Sequence, residues 1–287
     1  MCFEYTTPIT ELTYISLIFC TLICCLMCIF CLQRNLSHRW LAYESSPIDW
    51  CEDNYRVNPY VAEFVNTISN ILLVIFPLFV IRSNIWHSYL QYVSVGPHVL
   101  FYMMSCVGLG SIYFHGTLSL LGQFIDEISL MWCFLSTYIF LFPTRMLPKI
   151  VPRSIFLLIA LALSVIWFID TEMYRFWLFA ISVPTALLLA REYFNCENFQ
   201  VRKYVVLTVG FFFICSMFWF VDFFFCDSVK SFGFPGLHFV FHIFMPWVSY
   251  FAITLLAFFR ADCDAPHIKP SLRTAFFMAP YVYCEKK

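Results

Sequence analysis

The chain has 287 residues, of which 61% are hydrophobic and 12% are charged, and its mean hydropathy is +0.78. A soluble domain of this length could not bury so much apolar surface, whereas a multi-pass membrane protein exposes it to lipid. The formal net charge of −1 argues against a protein that binds nucleic acid.

Apolar runs of roughly membrane-spanning length, about 20 residues each, occupy most of the chain. The first run, at 13–33, has neither the basic segment nor the small-residue cleavage site of a signal peptide, so we expect a retained membrane anchor. Seven further runs lie at 60–81, 97–115, 123–142, 154–170, 174–191, 203–222 and 236–259. The predicted fold is therefore all-α and integral to the membrane, a seven-helix transmembrane bundle with one additional N-terminal transmembrane helix.

Basic residues are distributed unevenly between the two sides of this predicted bundle. The side that contains residues 34–58 carries 5 Lys and Arg residues, and the opposite side carries the other 12 of the 17. The positive-inside rule makes the second side cytosolic, so both termini are expected in the cytosol and the 34–58 segment in the lumen or outside the cell. Cys51 and Cys226 then share the oxidising side, where a disulfide between them is one option.

Two of the predicted helices carry polar residues at helical spacing. Ser111 and His115 are four residues apart in one run, and His238 and His242 are four apart in another, so each pair shares a helix face. Counting spans along the chain places both pairs near the luminal side. Three imidazoles with an open fourth position suit a catalytic Zn²⁺ ion that activates water.

Each of these residues also has a purely structural interpretation. A histidine can hydrogen-bond locally, Ser111 can bond to its own backbone, and Asp126 or Glu127 can be stabilised by the dipole at a helix N-terminus. Ionisable residues inside membrane segments usually have a function, however. We therefore predict that the three histidines bind a metal, and that Asp126, at the luminal start of the next run, reaches the water or a ligand.

The segment Asp49–Asn54, followed by Glu63, places several hard oxygen donors in a short luminal stretch. Calcium takes six to eight such ligands, but the spacing is not that of an EF-hand. The chemistry alone therefore favours a solvated acidic loop over a calcium site.

Three blocks of the sequence together resemble the alkaline ceramidase family. They are Pro47–Tyr55 with Glu63–Thr67, Gly108–His115 with Asp126 and Glu127, and the pair His238-x-x-x-His242. The resemblance runs from about residue 46 to 260 and implies a seven-helix catalytic domain there. With the apolar runs and the basic residues, the predicted organisation is an N-terminal tail, extra helix and linker at 1–45, the catalytic domain at 46–260 and a cytosolic tail at 261–287. The extra N-terminal span departs from the seven-helix pattern of the family.

The resemblance implies a zinc-dependent, calcium-regulated hydrolase that cleaves the amide bond of ceramide to a sphingoid base and a free fatty acid. It places Zn²⁺ on His115, His238 and His242, with Ser111 and Asp126 as catalytic residues beside the water. The Ca²⁺ ligands that it implies are Asp49, the Trp50 carbonyl, Glu52, Asn54 and Glu63. The expected partners are a ceramide-type lipid substrate and membrane lipids, in the endoplasmic reticulum or Golgi membrane.

Two other functions are compatible with the same histidines. One is a seven-helix receptor of the progestin/adiponectin receptor type with a structural or weakly catalytic zinc, and the other is a zinc transporter. The acidic segment at 49–54 favours the ceramidase over the receptor. A transport path needs polar groups across the whole membrane, whereas the candidates here lie on one side.

Overall fold

The computed structural model describes residues 40–147, 152–169, 173–275 and 279–287. These residues form a bundle of helices followed by a β-hairpin, and the predicted N-terminal helix at 13–33 lies outside them. The helices are α1 (Phe64–Ser69), α2 (Ile71–Arg82), α3 (His87–Tyr92), α4 (Gly96–Thr117), α5 (Leu120–Phe140), α6 (Ile155–Ile169), α7 (Met173–Asn195), α8 (Phe199–Phe224), α9 (Cys226–Ser231) and α10 (His238–Asp264), with a short 3₁₀ helix at Thr144–Met146.

The long helices coincide with the predicted apolar runs, so the expected helical membrane fold is confirmed. The run at 60–81 corresponds to α1 and α2, and the other six runs correspond to α4, α5, α6, α7, α8 and α10, most of which extend a few residues past the predicted bounds. Within the described residues, four segments are long and apolar enough to cross a membrane by length and composition: Phe64–Arg82, Gly96–Thr117, Phe199–Phe224 and His238–Asp264. The crossing count of seven stays a prediction.

Helix α4 lies at the centre of the bundle and is buried along most of its length. It ends at Leu118, whose backbone is left-handed with φ of 48°. Ser119 follows, and its hydroxyl accepts a hydrogen bond from the Gly122 amide at the start of α5. Because only these two residues separate the helices, α4 and α5 pack as antiparallel neighbours.

Helix α10 packs mainly against α8 and also contacts α2 and α4. Its first residue is His238, so the start of α10 faces the end of α4, where His115 lies. The chain order of the runs thus brings the two histidine-bearing helix ends together.

The C-terminal segment, predicted only as a cytosolic tail, contains a β-hairpin that the hydrophobic pattern did not reveal. Strand β1 (Ile268–Thr274) pairs antiparallel with β2 (Pro280–Lys286). The hairpin packs on the bundle, because the Tyr250 hydroxyl on α10 donates to the Pro280 carbonyl at 2.6 Å and Val282 is fully buried.

Candidate metal centre

The three predicted metal ligands converge between α4 and α10. His115 comes from the last turn of α4, while His238 and His242 stand one turn apart at the start of α10. One ligand atom from each lies within 4.8 Å of the others, and all three side chains are buried. Within the described ranges, this is the one group of three or more His, Cys, Asp or Glu side chains whose possible ligand atoms come this close together.

The free nitrogen atoms of these rings fit a metal ion. Among the described residues, Nε2 of His115 and Nδ1 of His238 have no hydrogen-bond partner. Buried polar atoms are nearly always paired, and unpaired ones in a cluster require an explanation. Imidazole nitrogens are among the ligands that zinc prefers, and three of them lie close together here, so the residues present are suited to bind it.

The opposite nitrogens of two of the rings are held by neighbouring side chains. Nδ1 of His115 lies 2.5 Å from Oε2 of Glu63, and Nδ1 of His242 lies 2.8 Å from the Ser69 hydroxyl. Because the Ser69 hydroxyl donates to the Asn66 carbonyl at 2.9 Å, its oxygen is free to accept a hydrogen bond from Nδ1–H of His242. Such bonds fix the tautomer and ring orientation of metal-ligating histidines.

His238 is oriented by an aromatic contact. The indole of Trp50 stacks on its imidazole with ring centroids 3.5 Å apart and planes inclined by 10°. The acidic segment therefore touches the metal centre in two places, at His238 through Trp50 and at His115 through Glu63.

The predicted catalytic residues Ser111 and Asp126 are brought together by a close approach of α4 and α5. The Ser111 hydroxyl donates to the Asp126 carboxylate. A Cβ atom on Gly110 would lie only 3.3 Å from the Asp126 Cα and 3.1 Å from the Ile125 side chain. The absence of a side chain at Gly110 thus lets the two helices approach.

The predicted calcium ligands lie in one loop but are directed at different neighbours. Asp49 accepts a hydrogen bond from the Asn54 amide at 3.1 Å, and no described group donates to Oδ1 of Asn54, which is buried. Glu52 accepts from the amides of Val65 and Asn66 at the start of α1. Glu52 therefore caps a helix in this structure.

Glu63 is fully buried and uses both oxygens. Oε1 accepts from the Trp50 amide at 2.9 Å, and Oε2 accepts from the Asn66 side chain at 2.9 Å in addition to its contact with His115. Burial raises the pKa of Glu63 to about 8, although the bonds from Asn66 and Trp50 act in the opposite direction. Burial also raises the pKa of Glu52, against the effect of its two amide donors.

The structure contains a disulfide between Cys51 and Cys226, which confirms the pairing that the predicted topology allows. It joins the acidic segment to the start of α9, with the two Cα atoms 5.3 Å apart. The loop is thus attached to α9 by the disulfide, and to the histidines of α10 and α4 by the contacts of Trp50 and Glu63.

Some contacts around the centre escaped the sequence analysis. Glu63 was predicted only as a calcium ligand, and Asn66 and Asn70 were not singled out. These three residues follow at spacings of three and four, from the N-cap of α1 to its C-cap, and this signal resembles that of His238 and His242. Glu127, read from the sequence as a charge at a helix N-terminus, instead accepts hydrogen bonds from Gln123 and from the Trp167 indole on α6.

Comparisons with known proteins agree with these features. Residues 42–283 match the family model described as Ceramidase. The chain is 34% identical to an alkaline ceramidase of Drosophila melanogaster over 80% of this chain and 82% of that protein. It is 30% identical to alkaline ceramidase 1 of Homo sapiens, over 78% of this chain and 87% of that protein, and 27% identical to an alkaline ceramidase of Arabidopsis thaliana, over 84% and 94%.

Proposed function

The chain belongs to the alkaline ceramidase family and is a ceramide-hydrolysing enzyme, and we propose that it acts through a zinc ion held by His115, His238 and His242. The products are a sphingoid base and a free fatty acid. The observation that supports the proposal best is the buried triad, in which two ring nitrogens have no partner among the described residues. Three neutral imidazoles leave one position open for catalysis.

When bound, zinc supplies a Lewis acid that polarises the amide carbonyl and lowers the pKa of water. Asp126 takes a proton from the attacking water and passes it to the leaving amine. Ser111, which donates to Asp126 before substrate binds, donates instead to the developing oxyanion of the tetrahedral species. Glu63 and Ser69 hold the ligating rings in place.

Calcium regulation rests on the acidic segment. We propose that Asp49, the Trp50 carbonyl, Glu52, Asn54 and Glu63 bind Ca²⁺. The buried oxygen of Asn54 without a donor among the described residues supports this, as does its contact with Asp49. A cation here would act on the metal centre through Glu63 and Trp50, which touch His115 and His238.

The apolar substrate explains why the proposed reaction takes place in a membrane-embedded helix bundle. A ceramide-type lipid carries two long apolar tails, which an apolar helix bundle can hold while the amide reaches the histidines. We propose that residues 46–260 form the catalytic domain and 261–287 a cytosolic tail. The metal centre would face the lumen of the endoplasmic reticulum or Golgi.

Purified full-length protein, assayed for ceramide hydrolysis with and without a zinc chelator, tests the proposal. We expect turnover to stop with chelator and to return when zinc is added. A protein that binds ceramide without hydrolysing it would favour the receptor alternative, which none of the reported relatives supports.

A further inference from the structure

Asp222 is a buried carboxylate that the mechanism above does not use. It lies in the last turn of α8 and its side chain is 1% exposed. Oδ2 accepts a hydrogen bond from the Cys51 amide at 3.1 Å, and Oδ1 accepts one from the Leu237 amide. A carboxylate removed from water is costly unless such donors compensate it, so these two bonds are integral to the local fold.

The two donors flank the same imidazole. Leu237 is the residue immediately before His238 at the start of α10. Cys51 immediately follows Trp50, whose indole stacks on the His238 ring. One carboxylate therefore fixes the backbone on both sides of a single metal ligand.

The same junction is closely packed at Gly236. This glycine has φ of 141°, which side-chain-bearing residues rarely adopt. A Cβ atom there would lie 3.1 Å from the Glu52 amide nitrogen and 3.4 Å from Oδ1 of Asp222. The turn before α10 thus presses directly against the acidic segment and Asp222, with little room for displacement.

We propose that Asp222 is a positioning residue that holds Trp50 and His238 in the metal-binding arrangement. The inference rests on the proposed zinc function of the histidine triad. Asp222 acts through two backbone amides, so its loss would loosen His238 without removing a ligand. The Cys51–Cys226 disulfide joins the acidic segment to α9, four residues along the chain from Asp222, but it does not reach Leu237.

The variant Asp222→Asn keeps the side-chain shape and replaces one accepting oxygen with an amide that faces an N–H donor. We expect purified Asp222→Asn to release zinc to a chelator roughly 10-fold faster than the wild type, because loss of residues that support metal ligands typically lowers metal affinity by about 10- to 100-fold. The turnover number should fall while KM changes little. Asp227→Asn is the matched control, because it removes an exposed carboxylate from the adjacent α9, and its zinc release should equal that of the wild type.

Gly236→Ala provides a second variant if Asp222→Asn does not fold, because it strains the same junction from the opposite side. It should also release zinc faster. Wild-type zinc release and turnover in a folded Asp222→Asn or Gly236→Ala protein would overturn the positioning role alone. A wild-type enzyme that hydrolyses ceramide without holding zinc would overturn both this role and the proposed function.

Discussion

Oε2 of Glu63 lies 2.5 Å from Nδ1 of His115, and this contact joins the acidic segment to the metal centre. The other oxygen of Glu63 accepts from the Trp50 amide, and Trp50 in turn stacks on His238. An imidazole that donates Nδ1–H to a carboxylate keeps Nε2 free and more basic toward a metal. A cation bound to the acidic segment would therefore influence two of the three proposed zinc ligands.

Loss of a single histidine should remove the metal. We expect His115→Ala and His242→Ala to lose both zinc and activity, because two imidazoles do not complete a zinc site. Elemental analysis and ceramide turnover of each purified variant provide the measurement. His267→Ala, at an exposed position, serves as the control and should retain both. Full zinc content in either triad variant would contradict the assignment.

Asp126 should serve the chemistry and not metal retention. Asp126→Asn keeps the shape but removes the base, so turnover should fall by ~10²–10⁴-fold while zinc content stays near that of the wild type. Single-turnover kinetics with parallel metal analysis would check this. Near-normal turnover in the variant would exclude Asp126 as the base.

Ser111→Ala should lower turnover by roughly 10²–10³-fold with little change in lipid binding, because its hydrogen bond to the carbonyl oxygen strengthens in the transition state. Ser105→Ala is a matched control on the same helix, since the Ser105 hydroxyl donates to backbone carbonyls of Val74 and Phe101. The control should keep its turnover. If Ser111→Ala loses only zinc, the serine supports His115 and is not an oxyanion donor.

Calcium dependence should respond to Asn54 and Glu63 in different ways. Asn54→Ala should raise the calcium concentration needed for activity and leave zinc content unchanged, because the Asn54 side chain donates to Asp49 within the acidic segment. Glu63→Ala should raise the calcium requirement and also weaken zinc binding through His115. Asp53→Asn is the control, because Asp53 is exposed and pairs with Lys230. An unchanged calcium requirement in both variants would contradict a site in this segment.

The Cys51–Cys226 disulfide should stabilise the fold. It closes a loop with a sequence separation of 175 residues, and loss of a native disulfide typically costs about 2–5 kcal/mol. Cys51→Ser should lower the unfolding temperature, and a reductant should do the same to the wild type. Cys263→Ser, which removes a free thiol, should leave it unchanged. An unchanged unfolding temperature in Cys51→Ser would contradict a stabilising role for the disulfide.

The sequence predicted the triad because its signals are local. Two polar residues four apart in an apolar run define a helix face, and counting runs places His115 and His238 at the same end of the bundle, where the structure brings them within reach of one ion. The long apolar runs likewise predicted the long helices, because their lengths and compositions suit a membrane.

Other features depend on contacts between distant residues, which spacing does not reveal. Asp222 lies within an apolar helix, and its role depends on hydrogen bonds from the amides of Cys51 and Leu237, which are 171 and 15 residues away in sequence. Glu127 looked like an ordinary helix-terminal charge but receives a hydrogen bond from Trp167, 40 residues later. The hairpin at Ile268–Lys286 is held by Tyr250 and by pairing between its own strands, and its mixed polar pattern gave no strong periodic signal.

The most direct test of the proposed function is a zinc titration of metal-free enzyme. Purified full-length protein would be stripped of metal and supplied with increasing zinc, while bound zinc and ceramide turnover are measured in the same samples. We predict that turnover rises in proportion to occupancy and levels off at one zinc per chain. Full ceramide turnover in samples that contain no bound zinc would contradict the account.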